Sequence, residues 1–131
     1  MTKRELSQLY FLKKEIAKDK ERLARLEAAA RIRAEQLTGM PRGGVKKDKV
    51  GDLSAEIADL EKEIDRNVAR CYKEMARLTR YVDSIPDSQM RLVFKLRCID
   101  CKSWKRIALD IGGKNTEDSV KKQFYRFLKK S

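Results

Sequence analysis

Apolar residues recur along the first stretch of the chain at helical intervals. Leu9, Ile16, Leu23, Ala30 and Leu37 stand seven residues apart, and Leu12 and Leu26 fill two companion positions. Asp19 and Arg33 occupy the other two, so charge interrupts an otherwise continuous seam. No Gly or Pro occurs in residues 5–38, and the spacing predicts one long helix there. A second stripe runs through Leu53, Ile57, Leu60, Ile64, Val68, Cys71, Met75, Leu78 and Val82, predicting a helix over residues 53–84. Two consecutive spacings of four around Ile64 mark a stutter. Between the stripes, residues 39–52 hold four of the six glycines and one of the two prolines, which predicts a flexible connection. Two long helices of similar length, each with one apolar face and a short link, predict an antiparallel hairpin over residues 1–85.

The pattern changes at Ser84-Ile85-Pro86-Asp87. Pro86 disfavours helical geometry at Ile85, Ser84 offers an N-cap, and Asp87 suits a positive first turn. Residues 86–131 then read as three short helices. The first spans about 87–98, with Leu92, Val93 and Leu96 inward. The second opens at Ser103 and buries Trp104, Ile107, Ala108 and Ile111. Gly112-Gly113 ends it. The third is capped by Thr116, carries Glu117 and Asp118 in its first turn, and buries Val120, Phe124, Phe127 and Leu128. The expected class is all-α: a long coiled-coil-like hairpin followed by a three-helix helix-turn-helix module.

Charge gives that module a chemistry. The chain carries a formal net charge of +12. Residues 86–131 hold 12 basic and 5 acidic side chains, against 20 and 15 in the first 85. A glycine-turned helix pair whose second helix is capped and basic on its free face is the pattern of a reader of double-stranded DNA. The candidate contacts are Ser103 and Lys105 on the second helix, and Thr116, Glu117, Asp118, Ser119, Lys121, Lys122, Tyr125, Arg126 and Lys129 on the third. Glu117, Asp118, Lys121 and Lys122 stand nearest base edges on this reading, and Arg126, Lys129 and Lys130 nearest phosphates. Trp104 reads as core rather than a stacking platform.

Other chemistry finds little footing. The chain has no His, no Gly-rich phosphate loop after a strand and no carboxylate pair held in a cleft, so an enzyme is not expected. Cys98-Ile99-Asp100-Cys101 has C-x2-C spacing, but only Cys71 remains as a further thiol. Neither a zinc site nor a redox motif is expected, and no cofactor. Cys98 is expected to pack and Cys101 to lie in a turn. Arg42, Lys46, Lys47 and Lys49 form a basic cluster that reads as solvated. No stretch approaches the roughly 20 apolar residues of a membrane span. With no signal-peptide pattern and an odd number of cysteines, a cytoplasmic location is expected.

The runs Val93-Phe94-Lys95-Leu96-Arg97, Ser103-Trp104-Lys105-Arg106-Ile107-Ala108 and Thr116-Glu117-Asp118-Ser119-Val120-Lys121-Lys122 resemble region 4 of the sigma-70-like factors. With Gly39-Met40-Pro41, Asp48-Lys49-Val50-Gly51 and Glu56-Ile57-Ala58-Asp59-Leu60, the whole chain resembles a family of small phage and prophage proteins of Firmicutes, of unknown function or ArpU-like late transcriptional regulators. The resemblance implies a phage transcription regulator in the bacterial host cell. RNA polymerase and a second copy of the chain, through the hairpin, are its further implied partners. Glu117, Asp118 and Ser119 stand where sigma factors commonly place arginines, so the DNA sequence read should differ. Two alternatives share the pattern: a small-terminase-like packaging adaptor, and a polymerase- or sigma-binding protein that does not touch DNA.

Overall fold

The computed structural model of the chain describes residues 1–38 and 47–130, with side chains throughout except at 37–38 and 47–51. The class is all-α. Helices α1 (Lys3–Leu6) and α2 (Gln8–Thr38) follow one another, α3 spans Lys47–Asp83, and α4 (Ser88–Phe94) continues as a π-helical turn over Lys95–Ile99. Helices α5 (Trp104–Ile111) and α6 (Glu117–Lys130) complete the chain. Among the described residues there is no strand, and no helix is long and apolar enough to cross a membrane.

The expected first helix begins earlier than position 5. Thr2 caps it in a reciprocal box: its Oγ1 accepts from the Glu5 amide at 3.2 Å, and Glu5 Oε2 accepts from the Thr2 amide at 2.8 Å. That capping bond is the largest cause holding the Glu5 carboxyl below its usual value. Ser7 separates α1 from α2, its hydroxyl donating back to the Arg4 carbonyl, a local bond that competes with the helix ladder. The expected connection at 39–52 lies outside the described residues over 39–46. Its remainder, 47–52, is helical and contains Gly51, at a cost of about 1 kcal/mol against Ala. The side chains of Arg42, Lys46, Lys47 and Lys49 lie outside those described.

The chain forms two compact units, residues 14–69 and residues 1–13 with 70–131. In the unit Lys14–Ala69, Ile16, Leu53, Leu60 and Ile64 are buried, while Asp19, Leu23, Leu26, Ala30 and Arg33 are half-buried. The polar intrusions do sit in the seam. Arg22 and Glu56 pair across it at 3.4 Å, an exposed contact worth well under 1 kcal/mol. On α3 the stutter is displaced. Asn67 is only 5% exposed and holds the seam position assigned to Val68, which is half-buried. The 4-3-4 spacing Leu60, Ile64, Asn67, Cys71 is therefore regular, and hydropathy could not reveal a polar member.

The other unit owns the larger core. Leu6 and Leu9 meet Leu78, Val82 and Ile85, and all five pack with Val93, Phe94, Leu96, Cys98, Trp104, Ile107, Ala108, Val120 and Phe124. The boundary expected at 85/86 falls inside this unit, because α4 to α6 do not enclose their own core without the ends of the long helices. Phe94 lies at the centre, with ring centroids 4.4 Å from Phe124, 5.2 Å from Phe127 and 6.0 Å from Tyr81. Trp104 stands 5.0 Å from Phe124 and is buried, as expected of a core residue.

Several local expectations shift here. Asp87, not Ser84, caps α4, accepting from the Met90 amide at 3.1 Å; the Ser84 hydroxyl donates to the Tyr81 carbonyl. Leu92 is exposed and Phe94 fully buried. The α-helix stops at Phe94, and Asp100 donates to the Lys95 carbonyl five residues back. This wider turn brings both Leu96 and Cys98 inward. Cys101 ends the segment at φ 56°, a left-handed conformation costing roughly 1–2 kcal/mol for a residue with a Cβ.

Candidate nucleic-acid interface

Helices α5 and α6 are joined by Gly112 and Gly113 at φ 75° and 66°. Both angles lie where only glycine is at ease, which is why the pair can turn this tightly. Asn115 Nδ2 donates to the Gly112 carbonyl at 3.0 Å and closes the turn. Ala108 and Val120 are buried between the helices, so a small side chain on α5 lets α6 approach.

Six of the proposed contacts come together on α6. Asp118, Lys121, Lys122, Tyr125, Arg126 and Lys129 line one open depression along its outer face. All but Tyr125 are exposed. Among the described residues none of its four cations is paired with a carboxylate. Glu117 and Asp118 occupy the first turn and Lys129 and Lys130 the last, so each charge also complements the helix dipole. Glu117 and Lys105 sit apart from the six, in a crease between α5 and α6 that Leu109 and Asn115 also line.

Three of the proposed contacts also cap helices. Ser103 Oγ accepts from the Arg106 amide at 3.2 Å and caps α5. Thr116 Oγ1 accepts from the Ser119 amide at 3.1 Å, and Ser119 Oγ accepts from the Thr116 amide at 2.9 Å. The Thr116–Ser119 pair is a capping box in which serine replaces the usual Glu or Gln. Seen from the sequence, hydroxyls at helix starts fit both roles.

Elsewhere on the module three cations are engaged within the protein. Asp110 accepts from Lys102 at 2.9 Å and faces Arg106 at 3.4 Å. The Lys102 hydrogen bond, with both positive charges, holds the Asp110 carboxyl below its usual value. Arg97 lies 4.5 Å above the Trp104 ring and donates to the Lys102 carbonyl at 3.0 Å.

Comparison with family models, with curated proteins and with solved structures found no match to this chain. The site therefore rests on its own geometry. That geometry adds two side chains that the sequence reading missed. Lys3, from the other end of the chain, places its ammonium 4.8 Å from the Tyr125 ring. Leu109 is 67% exposed beside the crease. No sequence signal links Lys3 to Tyr125, because only the fold brings α1 to α6. Leu109 could have been found as the one apolar residue of α5 outside its buried 104-107-108-111 face.

The thiols carry no such interface. Burial raises the Cys98 thiol to about 12 and also raises that of Cys101, which leaves both protonated and poorly nucleophilic near neutral pH. Among the described residues no three His, Cys, Asp or Glu side chains gather to hold a metal ion.

Proposed function

We propose that this chain is a sequence-specific DNA-binding transcription regulator of a phage or prophage, acting in the cytoplasm of its bacterial host. One observation carries the reading: Lys121, Lys122, Arg126 and Lys129 line a single open face of the second helix of a helix-turn-helix, without carboxylate partners among the described residues. A cation already paired within the protein must break that pair to meet a phosphate. These four need not. Helix α6 enters the major groove, Lys121 and Lys122 reach toward bases, and Arg126 and Lys129 grip phosphates. Glu117 and Asp118, exposed at the leading end, fit an acceptor role toward cytosine amino groups. The resemblance to sigma region 4 and to the ArpU-like regulators supports the same assignment, with RNA polymerase or a second copy of the chain as further partners.

The test is a titration of labelled duplex DNA with a randomised core, followed by selection of bound sequences. The reading expects an enriched motif and affinity that falls steeply with added salt. Binding by Lys121→Ala/Lys122→Ala equal to that of the parent chain overturns the docking arrangement. No motif after repeated selection overturns sequence-specific reading.

A further inference from the structure

A second surface lies within the same compact unit, against the first turns of the chain. Leu6, Cys98 and Phe124 are buried at its base. Tyr10 and Phe11 stand at its edge, 41% and 57% exposed, in an edge-to-face pair with centroids 5.2 Å apart. Tyr125 completes the wall. The cleft offers about 150 Å³, the size of cavity that accepts a benzene ring. Its lining includes two cations, Lys3 and Arg97, and no carboxylate. Each of these cations lies over an aromatic ring, and neither forms an ion pair among the described residues.

We infer that this cleft is a docking site for an acidic protein segment that inserts one phenylalanine-sized side chain between Tyr10, Phe11 and Tyr125. The volume selects a single ring. The exposed aromatic pair supplies the contact area that anchors use at interfaces. Lys3, the exposed cation of the lining, selects a carboxylate beside the inserted ring; Arg97 adds positive charge from a guanidinium already held by Trp104 and the Lys102 carbonyl, and both disfavour a basic segment. Duplex DNA fits the cleft less well, because its flat groups are stacked inside the helix. The inference does not depend on DNA binding by α6, although Tyr125 borders both surfaces and Lys3 lies against its ring.

The test uses amide chemical shifts of the full chain during titration with the blocked pentapeptide Asp-Glu-Phe-Glu-Asp. Saturable shifts at Tyr10, Phe11, Cys98 and Tyr125 are expected. Replacing the peptide's Phe by Ala, or its acids by Lys, should weaken binding at least tenfold. Phe11→Ala and Lys3→Glu should each weaken it several-fold, and both positions are exposed enough to leave the fold intact. Equal binding of the lysine peptide overturns the inference. So do shifts confined to Lys121 and Lys122, which would mark the peptide as a polyanion on α6, and so does a DNA duplex that moves the cleft amides when the peptide does not.

Discussion

Helices α5 and α6 both turn basic residues outward, but the two faces are in different states. On α5, Arg106 and the preceding Lys102 converge on Asp110 at 3.4 and 2.9 Å. On α6, four cations share a face whose one carboxylate, Asp118, pairs with none of them. A count of charges along the sequence treats the two alike. Pairing separates them: a cation that already has a protein carboxylate gains less from a phosphate, because the exchange leaves the carboxylate alone. On the proposed reading, the four cations gathered on α6 are the ones the fold leaves ready for phosphate.

Removing charge from each helix in turn separates the effect of pairing from that of net charge. Arg126→Ala/Lys129→Ala removes the two cations assigned to phosphates and should lower the slope of log affinity against log salt by about two, which amounts to roughly a fiftyfold loss of duplex binding at 0.1 M salt. Lys102→Ala/Arg106→Ala removes two cations from the same module and should change the slope by less than one. Fluorescence anisotropy over a salt series measures both. Equal loss per charge in the two variants would show that pairing does not matter and that only net charge does.

A smaller effect runs in the opposite direction. Asp110→Asn frees Lys102 and Arg106, and should raise the salt slope by up to about two. The same residue gives the pH dependence its sign. Its folded carboxyl is depressed below the usual value of 3.8, so the unfolded chain takes up a proton first as pH falls. Its stabilising contribution is present above the unfolded value and is lost as pH drops through the folded one. Urea unfolding followed from pH 6 down to pH 2 should therefore show the parent chain and Asp110→Asn converging at the acid end. A constant difference across that range would remove Asp110 from the account.

Much of this arrangement was legible along the chain. The heptad positions from Leu9 to Arg33 are the less exposed ones on α2, because a seven-residue repeat translates directly into one face of a helix. Ser103, Gly112, Gly113 and Thr116 mark helix ends by local rules, and the structure places them there. What could not be read required contacts between distant residues or a change of helical pitch. Phe94 rather than Leu92 joins Val93 in the core, because tertiary packing against Phe124 and Tyr81 sets the rotation of α4. Asn67 enters a seam where hydropathy predicts Val68. The unpaired state of Lys121 and the paired state of Arg106 look identical in one dimension.

Caps give the next test, and it separates structural from binding hydroxyls on α6. Thr116→Ala removes the acceptor for the Ser119 amide and should cost about 1 kcal/mol of stability. Well below the melting transition, duplex affinity should stay within about twofold, since the hydroxyl serves the helix end. Thermal unfolding and a binding titration at 10 °C check the two halves. A large affinity loss without a stability loss would return Thr116 to the interface.

The smallest expected effect lies in the core. An unpaired polar group on the surface of α6 keeps its water, and its lack of a protein partner costs nothing. The Tyr81 hydroxyl is buried and has no hydrogen-bond partner among the described residues. A buried hydroxyl that is hydrogen-bonded usually stabilises by about 1 kcal/mol, whereas one left unsatisfied carries a desolvation penalty of about 1–3 kcal/mol. Tyr81→Phe keeps the ring against Phe94, 6.0 Å away, and removes only the oxygen. It should therefore leave stability unchanged or raise it by up to about 1 kcal/mol, where the same substitution at a bonded tyrosine lowers it. Denaturant midpoints of the two chains, measured at equal slope, decide the matter. A clear loss would mean that the hydroxyl finds a partner in solution, and that Tyr81 belongs with the paired groups of α5 rather than with the unpaired ones.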